Sequence, residues 1–197
     1  AYGVLKNDAE ANESDSILII GAGGVGLAIL KIAKLLKINH IVVVDTIDNK
    51  LALAHQLGAS RTVKFIDKFT TAAELSSIYK NSSPTIAIDT SGDTSAIELC
   101  YEFSAPKGRV ILVGVPKVGT YAKIYTLPLH FGKVFKGSHG GGSKPQTDIQ
   151  TLLDLILNNS LDLTNYPIQK YALEEINTAI HDLRNGVAGR MIIDFEL

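Results

Sequence analysis

The chain has 197 residues, 46% of them hydrophobic and 20% charged, with a net charge of −1. That length allows one large core, and the near-neutral balance lacks the basic block of a nucleic-acid surface. No apolar run approaches the roughly 18–20 residues that span a bilayer, and the single cysteine, Cys100, excludes an internal disulfide or a multi-cysteine zinc site.

The first fifteen residues, "AYGVLKNDAEANESD", are acidic and have no apolar signal core, so a reducing, cytoplasmic setting is expected. "SILII" then reads as a buried strand, and 25–36 as a helix with Leu27, Leu30, Ile32, Ala33 and Leu36 on a broad apolar face. "HIVVVD" is β-branched and ends at Asp45, which predicts a strand. "NKLALAHQLG" predicts a helix closed by Gly58. "RTVKF" is a short strand, and "TTAAELSSIYK" a helix with Thr71 and Glu74 as a capping box. "TIAID" predicts a strand, "TSAIELCYEF" a helix started by Thr94 or Ser95, and "RVILVGV" a strand entered through Lys107-Gly108.

Strands that are apolar throughout, alternating with helices, imply an α/β fold: a doubly wound parallel sheet with helices on both faces. Beyond Val115 the pattern loosens. "TYAKIYT", 120–126, alternates and predicts an edge strand; "KVFKGS" predicts another strand, followed by a turn at Gly140-Gly141-Gly142. Two amphipathic helices follow, one carrying Ile149, Leu152, Leu153 and Ile156, the other Ile176, Ala179, Ile180 and Leu183. "RMIIDFEL" predicts a last strand. The chain reads as one domain, a core over 1–140 and C-terminal helices with the last strand over 141–197.

Four glycines in "GAGGVG" destabilise ordinary secondary structure, so a use for bare backbone is implied at that point. Gly21, Gly23 and Gly26 fit G-x-G-x-x-G directly after a strand and at the start of a helix. Gly21 permits the turn, Gly23 lets a pyrophosphate approach the main chain, and Gly26 lets the helix pack close to the sheet. The helix then aims free N–H groups and its positive dipole end at the phosphates. Asp45 ends the next strand 19 positions after Gly26, close to the roughly 20 expected of a ribose-binding acid. Its carboxylate meets a 2′-phosphate with like charge, and Thr46 and Ile47 offer no arginine, so NAD is expected over NADP. Lys50 is a second candidate for the adenosine ribose. A methyltransferase shares some of these features, but the long alternation after Asp45 fits a second mononucleotide-binding half better.

"GAGGVG", "VVVD" with Lys50 following, "LGA", "GRVILVGVP" and "FKGSHGGG" together resemble the cofactor (Rossmann) domain of the zinc-dependent medium-chain alcohol dehydrogenases. The resemblance runs from Tyr2-Gly3 to "GRMIIDFEL". It implies that Gly24 belongs to the phosphate turn and that Val25 packs behind the nicotinamide. It implies that Thr90 and Ser91 pass the cofactor near the strand ends. It places Val113, Gly114 and Val115 at the nicotinamide side, with the Val113 carbonyl on the carboxamide. Ser138 and Gly140 match two more backbone contacts there, and Arg190 matches an arginine that reaches the pyrophosphate. His139 replaces an apolar residue of the family pattern.

The family's catalytic zinc is held mostly by an amino-terminal domain. This chain begins where that domain would end, and Cys100 sits in a predicted helix. The resemblance therefore implies a domain-sized fragment that holds NAD(H) for an alcohol or polyol dehydrogenase, inactive alone, with zinc and the small alcohol or aldehyde bound only in the intact enzyme. No residue here reads as a catalytic acid, base or nucleophile, and no metal ligand is expected. A homodimer formed through 120–126 is also expected by resemblance. The alternatives are a stand-alone NAD(H)-sensing module and a zinc-free reductase, the latter disfavoured by Asp45.

Overall fold

A computed structural model describes residues 1–80, 82–164 and 166–196. The apolar runs form six parallel strands: β1 (Ser16–Ile20), β2 (His40–Asp45), β3 (Arg61–Lys64), β4 (Ile86–Asp89), β5 (Arg109–Leu112) and β6 (Val134–Gly137). They lie in the order β3-β2-β1-β4-β5-β6, with every neighbouring pair parallel. Parallel neighbours need crossovers. Helices α1 (Gly24–Leu35), α2 (Asp48–Gln56), α3 (Lys68–Tyr79) and α4 (Thr94–Phe103) follow β1 to β4 in turn.

The period-2 alternation of side chains along a strand divides the apolar residues between two layers. Ile17, Ile19, Ile41, Val43, Ile86, Ile88 and Ile111 face one way, onto Leu27, Leu30 and Ala33 of α1. Leu18, Ile20, Val42, Val44, Ala87 and Val110 face the other, onto Leu75 and Tyr79 of α3 and Leu99 and Cys100 of α4. A fully buried Ile or Leu contributes about 1.5–3 kcal/mol, so the two-faced burial explains why the central strands β1, β2 and β4 are apolar throughout their middles, while β3 and β6, at the ends of the sheet, carry exposed polar residues.

The helix starts depart from expectation in one place. α3 begins at Lys68, and Asp67 caps it, accepting the amides of Phe69 at 2.8 Å and Thr70 at 2.9 Å. Thr71 is buried inside the helix and accepts the Ile66 amide through its hydroxyl, so the expected Thr71–Glu74 capping box does not form. At α4, Asp93 caps through the amides of Ser95 and Ala96, and Thr94 is the first helical residue as expected. Lys133 closes the far end of α4: its buried ammonium donates to the carbonyls of Tyr101 at 2.7 Å and Ser104 at 2.9 Å. Burial pulls its pKa below the ordinary lysine range, while the negative end of the helix dipole favours the cation.

The predicted edge strand at 120–126 is a correction. Those residues join no ladder, and β6 ends the sheet. Tyr101 donates its hydroxyl to the Tyr125 carbonyl at 2.6 Å, which holds the segment against α4; with its own backbone outside the ladder, alternation alone could not make it a strand. β5 likewise stops at Leu112, three residues short of the expected Val115.

Two features were not legible in the sequence. Residues Val4–Asp8 form a short helical turn whose Val4 and Leu5 are buried in the α1 layer. Asn7 donates to the Gly141 carbonyl at 3.0 Å, so this turn braces the triple-glycine loop. The second is β7 (Ile168–Tyr171), which pairs in parallel with β8 (Arg190–Ile193) in a separate two-stranded sheet. The C-terminal helices form as predicted, α5 over Pro145–Leu157 and α6 over Ile176–Arg184. Their apolar faces are largely uncovered: Ile149 is 57% and Leu183 61% exposed, and α5 meets the core through Leu152 and Leu155.

Candidate cofactor site

The strand order reverses between β1 and β4, which open a crevice beyond their C-terminal ends. The glycine turn sits there. Gly21 has φ of +105°, and a Cβ on it would overlap the Thr90 hydroxyl. That hydroxyl donates to the Gly21 carbonyl at 2.9 Å and lies 3.2 Å from the Ile20 carbonyl, so Thr90 ties the two strand ends together. A Cβ on Gly26 would overlap the Gly21 carbonyl, whereas one on Gly23 would meet nothing within 4 Å. Close helix packing therefore requires Gly26, and Gly23 faces open space from the N-cap of α1.

Arg190, at the start of β8, reaches this helix end. Its guanidinium lies 3.8 Å from where a Cβ on Gly24 would stand, as does the Tyr166 hydroxyl. Tyr166 donates to the Gly24 carbonyl at 2.5 Å. Burial raises its phenol pKa, and the neighbouring Arg190 charge opposes that. First-turn N–H groups without a partner among the described residues, a helix dipole and a guanidinium together suit an anionic diphosphate.

Asp45 stands at the end of β2. Its Oδ2 accepts the Ala22 amide at 2.6 Å and its Oδ1 the Ile47 amide at 3.0 Å. A carboxylate has about four lone-pair sites, so acceptor capacity remains for a ribose. Asp45, Gly21 and Ser91 line one crevice of about 180 Å³ with Ile20, Val44, Thr46, Phe65, Asp93 and Ala96. Lys50 lies outside that lining, under Gly186 of the α6–β8 connection.

Asp89, the last residue of β4, was not singled out by the sequence reading. It is fully buried. Its Oδ1 accepts the Ser91 hydroxyl at 2.6 Å and amide at 3.0 Å, and its Oδ2 the Gly92 amide at 3.0 Å. Burial raises its pKa, opposed by these hydrogen bonds and assisted by the Asp93 charge. The Asp89 carbonyl accepts the amides of Val113 and Gly114, and a Cβ on Gly114 would come 2.8 Å from Asp89 Oδ2. A polar residue closing an apolar strand was the available signal for Asp89.

The nicotinamide-side candidates separate. Val25 is 42% exposed at the start of α1, in an apolar groove of about 460 Å³ that it shares with Gly24, Tyr166 and Arg190. Val113 packs against the core, while Val115 is 88% exposed. Ser138 donates its amide to the Leu112 carbonyl at 2.7 Å and its hydroxyl to Asp8 at 2.6 Å. Its amide and hydroxyl are thereby both engaged within the fold. Gly140 has φ of +60° and open space where a Cβ would stand. Burial pushes the Asp8 pKa up, but hydrogen bonds from Lys136 and Ser138 and the Lys136 charge outweigh it and hold the carboxyl below its ordinary range. His139 is exposed beside these residues.

Among the described residues no group of three or more His, Cys, Asp or Glu side chains is placed to hold a metal ion. The residues present do not fit zinc, and Cys100 is buried in α4 with burial raising its thiol pKa. Among the described residues no helix is long and apolar enough to cross a membrane.

Residues 24–158 match the family described as zinc-binding dehydrogenase. The chain is 28% identical to an S-(hydroxymethyl)glutathione dehydrogenase of Komagataella pastoris, covering 98% of this chain and 52% of that protein. It is 27% identical to alcohol dehydrogenase 2 of Oryza sativa subsp. japonica, covering 98% and 51%. Among solved structures it superposes on benzyl alcohol dehydrogenase from Acinetobacter calcoaceticus with a TM-score of 0.87 at 28% identity, covering 98% of this chain and 52% of that one. The chain thus spans about half the length of the curated relatives it matches.

Proposed function

The chain belongs to the zinc-binding dehydrogenase family, and from that premise we propose that it is the NAD(H)-holding domain of a zinc-dependent dehydrogenase of small alcohols, polyols or the corresponding aldehydes. The observation that supports this most directly is the meeting of the Gly23 backbone, Asp45 and Arg190 around the first turn of α1, at the reversal of strand order. The comparisons lend nothing to the sensing alternative.

In this reading the α1 amides and Arg190 bind the pyrophosphate, and Asp45 accepts the adenosine-ribose hydroxyls, with Lys50 as a neighbour at its rim. Thr90 and Ser91 hold the loop over which the cofactor runs. Val25 presses on one face of the nicotinamide, and the backbone of Val113 to Val115, Ser138 and Gly140 orients its carboxamide. Bound there, the nicotinamide supplies the acceptor or donor of hydride; the chain's part is position and electrostatics.

Self-association through 120–126 is part of the proposal. Ile124 packs on the core while Tyr121 and Tyr125 stand exposed, an aromatic surface of the kind enriched at interfaces.

Calorimetric titration with NADH and NADPH tests the cofactor assignment. NADH is expected to bind at least about tenfold tighter, 1.4 kcal/mol, because a 2′-phosphate meets Asp45. NADPH binding more tightly than NADH overturns it.

A further inference from the structure

Resting on the cofactor reading above, we propose that Asp93 selects the base of the dinucleotide, accepting the exocyclic amine of adenine through its outer carboxylate oxygen. The crevice that holds Asp45 continues over an apolar floor of Ile20, Val44, Phe65 and Ala96. A planar base seated beside a ribose on Asp45 enters that floor. Ser91 and Asp93 are exposed, so the base edge lies at the crevice mouth, where the charge it faces sorts a donor from an acceptor.

The polar groups at hand are few. The Ser91 hydroxyl donates to Asp89 Oδ1 at 2.6 Å. The Asp45 oxygens hold two backbone amides and are assigned to the ribose. Asp93 remains. Its Oδ1 accepts the amides of Ser95 at 2.9 Å and Ala96 at 3.1 Å, and Oδ2 accepts nothing among the described residues. The cap fixes the carboxylate before any ligand arrives, so little rotamer freedom is lost when Oδ2 takes a partner.

Adenine presents an N6 amine donor at that edge, whereas hypoxanthine presents an oxygen acceptor, as guanine does at O6. A carboxylate attracts the first and repels the second. No lysine, arginine or histidine lines the crevice to reverse that sign.

The test is calorimetric titration of the full chain with NADH and with reduced nicotinamide hypoxanthine dinucleotide. The unaltered protein is expected to prefer NADH about tenfold, or 1.4 kcal/mol. Asp93→Asn keeps a capping oxygen and offers an amide donor at the second position, so the preference is expected to vanish or invert. Asp93→Ser also caps the helix but is too short to reach, and is expected to lose the preference without inverting it. Equal affinity of the unaltered protein for both dinucleotides, or an unchanged ratio in both variants, overturns the proposal while the cofactor reading stands. Binding of neither dinucleotide overturns both.

Discussion

The Asp45 carboxylate holds the Ala22 and Ile47 amides, so removing it loosens the glycine turn as well as any ribose contact. Asp45→Ala is expected to weaken NADH binding by about 1–3 kcal/mol, the scale of a lost charge-assisted hydrogen bond, and calorimetry reads it; unchanged affinity means that the carboxylate does not touch ribose. Asp8 is a different kind of residue. Its buried carboxylate pairs with Lys136 at 2.8 Å and holds Ser138 beside the triple-glycine loop. Because its folded pKa lies below the unfolded value, its contribution is fully present above about 3.8 and is lost as pH falls through the lower folded value. Asp8→Asn is expected to cost about 1 kcal/mol at neutral pH, with the gap between the two urea-unfolding curves closing in acid. A widening gap in acid contradicts that sign. Asp45 was readable from its distance to Gly26. Asp8 was not, because its partners lie 128 and 130 residues away in a part of the fold that only the sheet brings near.

At the scale of elements, local chemistry placed the strands and helices well and their ends less well. The helix over 68–79 illustrates the limit. Thr71 and Glu74 have the spacing of a capping box, but Asp67 begins the helix earlier and Thr71 is carried into the core. Asp67→Ala is therefore expected to lower the thermal midpoint, while Glu74→Ala leaves it nearly unchanged; the reverse order would restore the capping box. The alternation in 120–126 misled for a related reason. A strand needs a neighbour with free backbone groups in register, and that requirement is not written in the side-chain pattern. In α5 and α6 the helical period was right, yet it did not tell which apolar residues find cover. Leu152 and Leu155 reach the core, while Ile149 and Leu183 do not.

For the whole molecule, the parallel order β3-β2-β1-β4-β5-β6 opens a crevice at the strand ends lined by Gly21, Asp45 and Ser91, and Arg190 stands in the neighbouring groove at the first turn of α1. The exposed Tyr121 and Tyr125 lie beside the end strand of the sheet in sequence. Light scattering at rising concentration is expected to show a dimer, and Tyr121→Asp with Tyr125→Asp a monomer; a monomer throughout removes the pairing. The sequence by itself determined the α/β class, the glycine turn and the acid at the end of β2, because strand and helix periodicity and the steric freedom of glycine act over a few neighbouring residues. Tertiary structure alone decided that Arg190 lies against Gly24, that Asp89 is buried under Gly114, and that Asp93 shares a crevice with Asp45. Those contacts join loops distant along the chain, and they exist only once buried apolar faces have fixed the order of the strands.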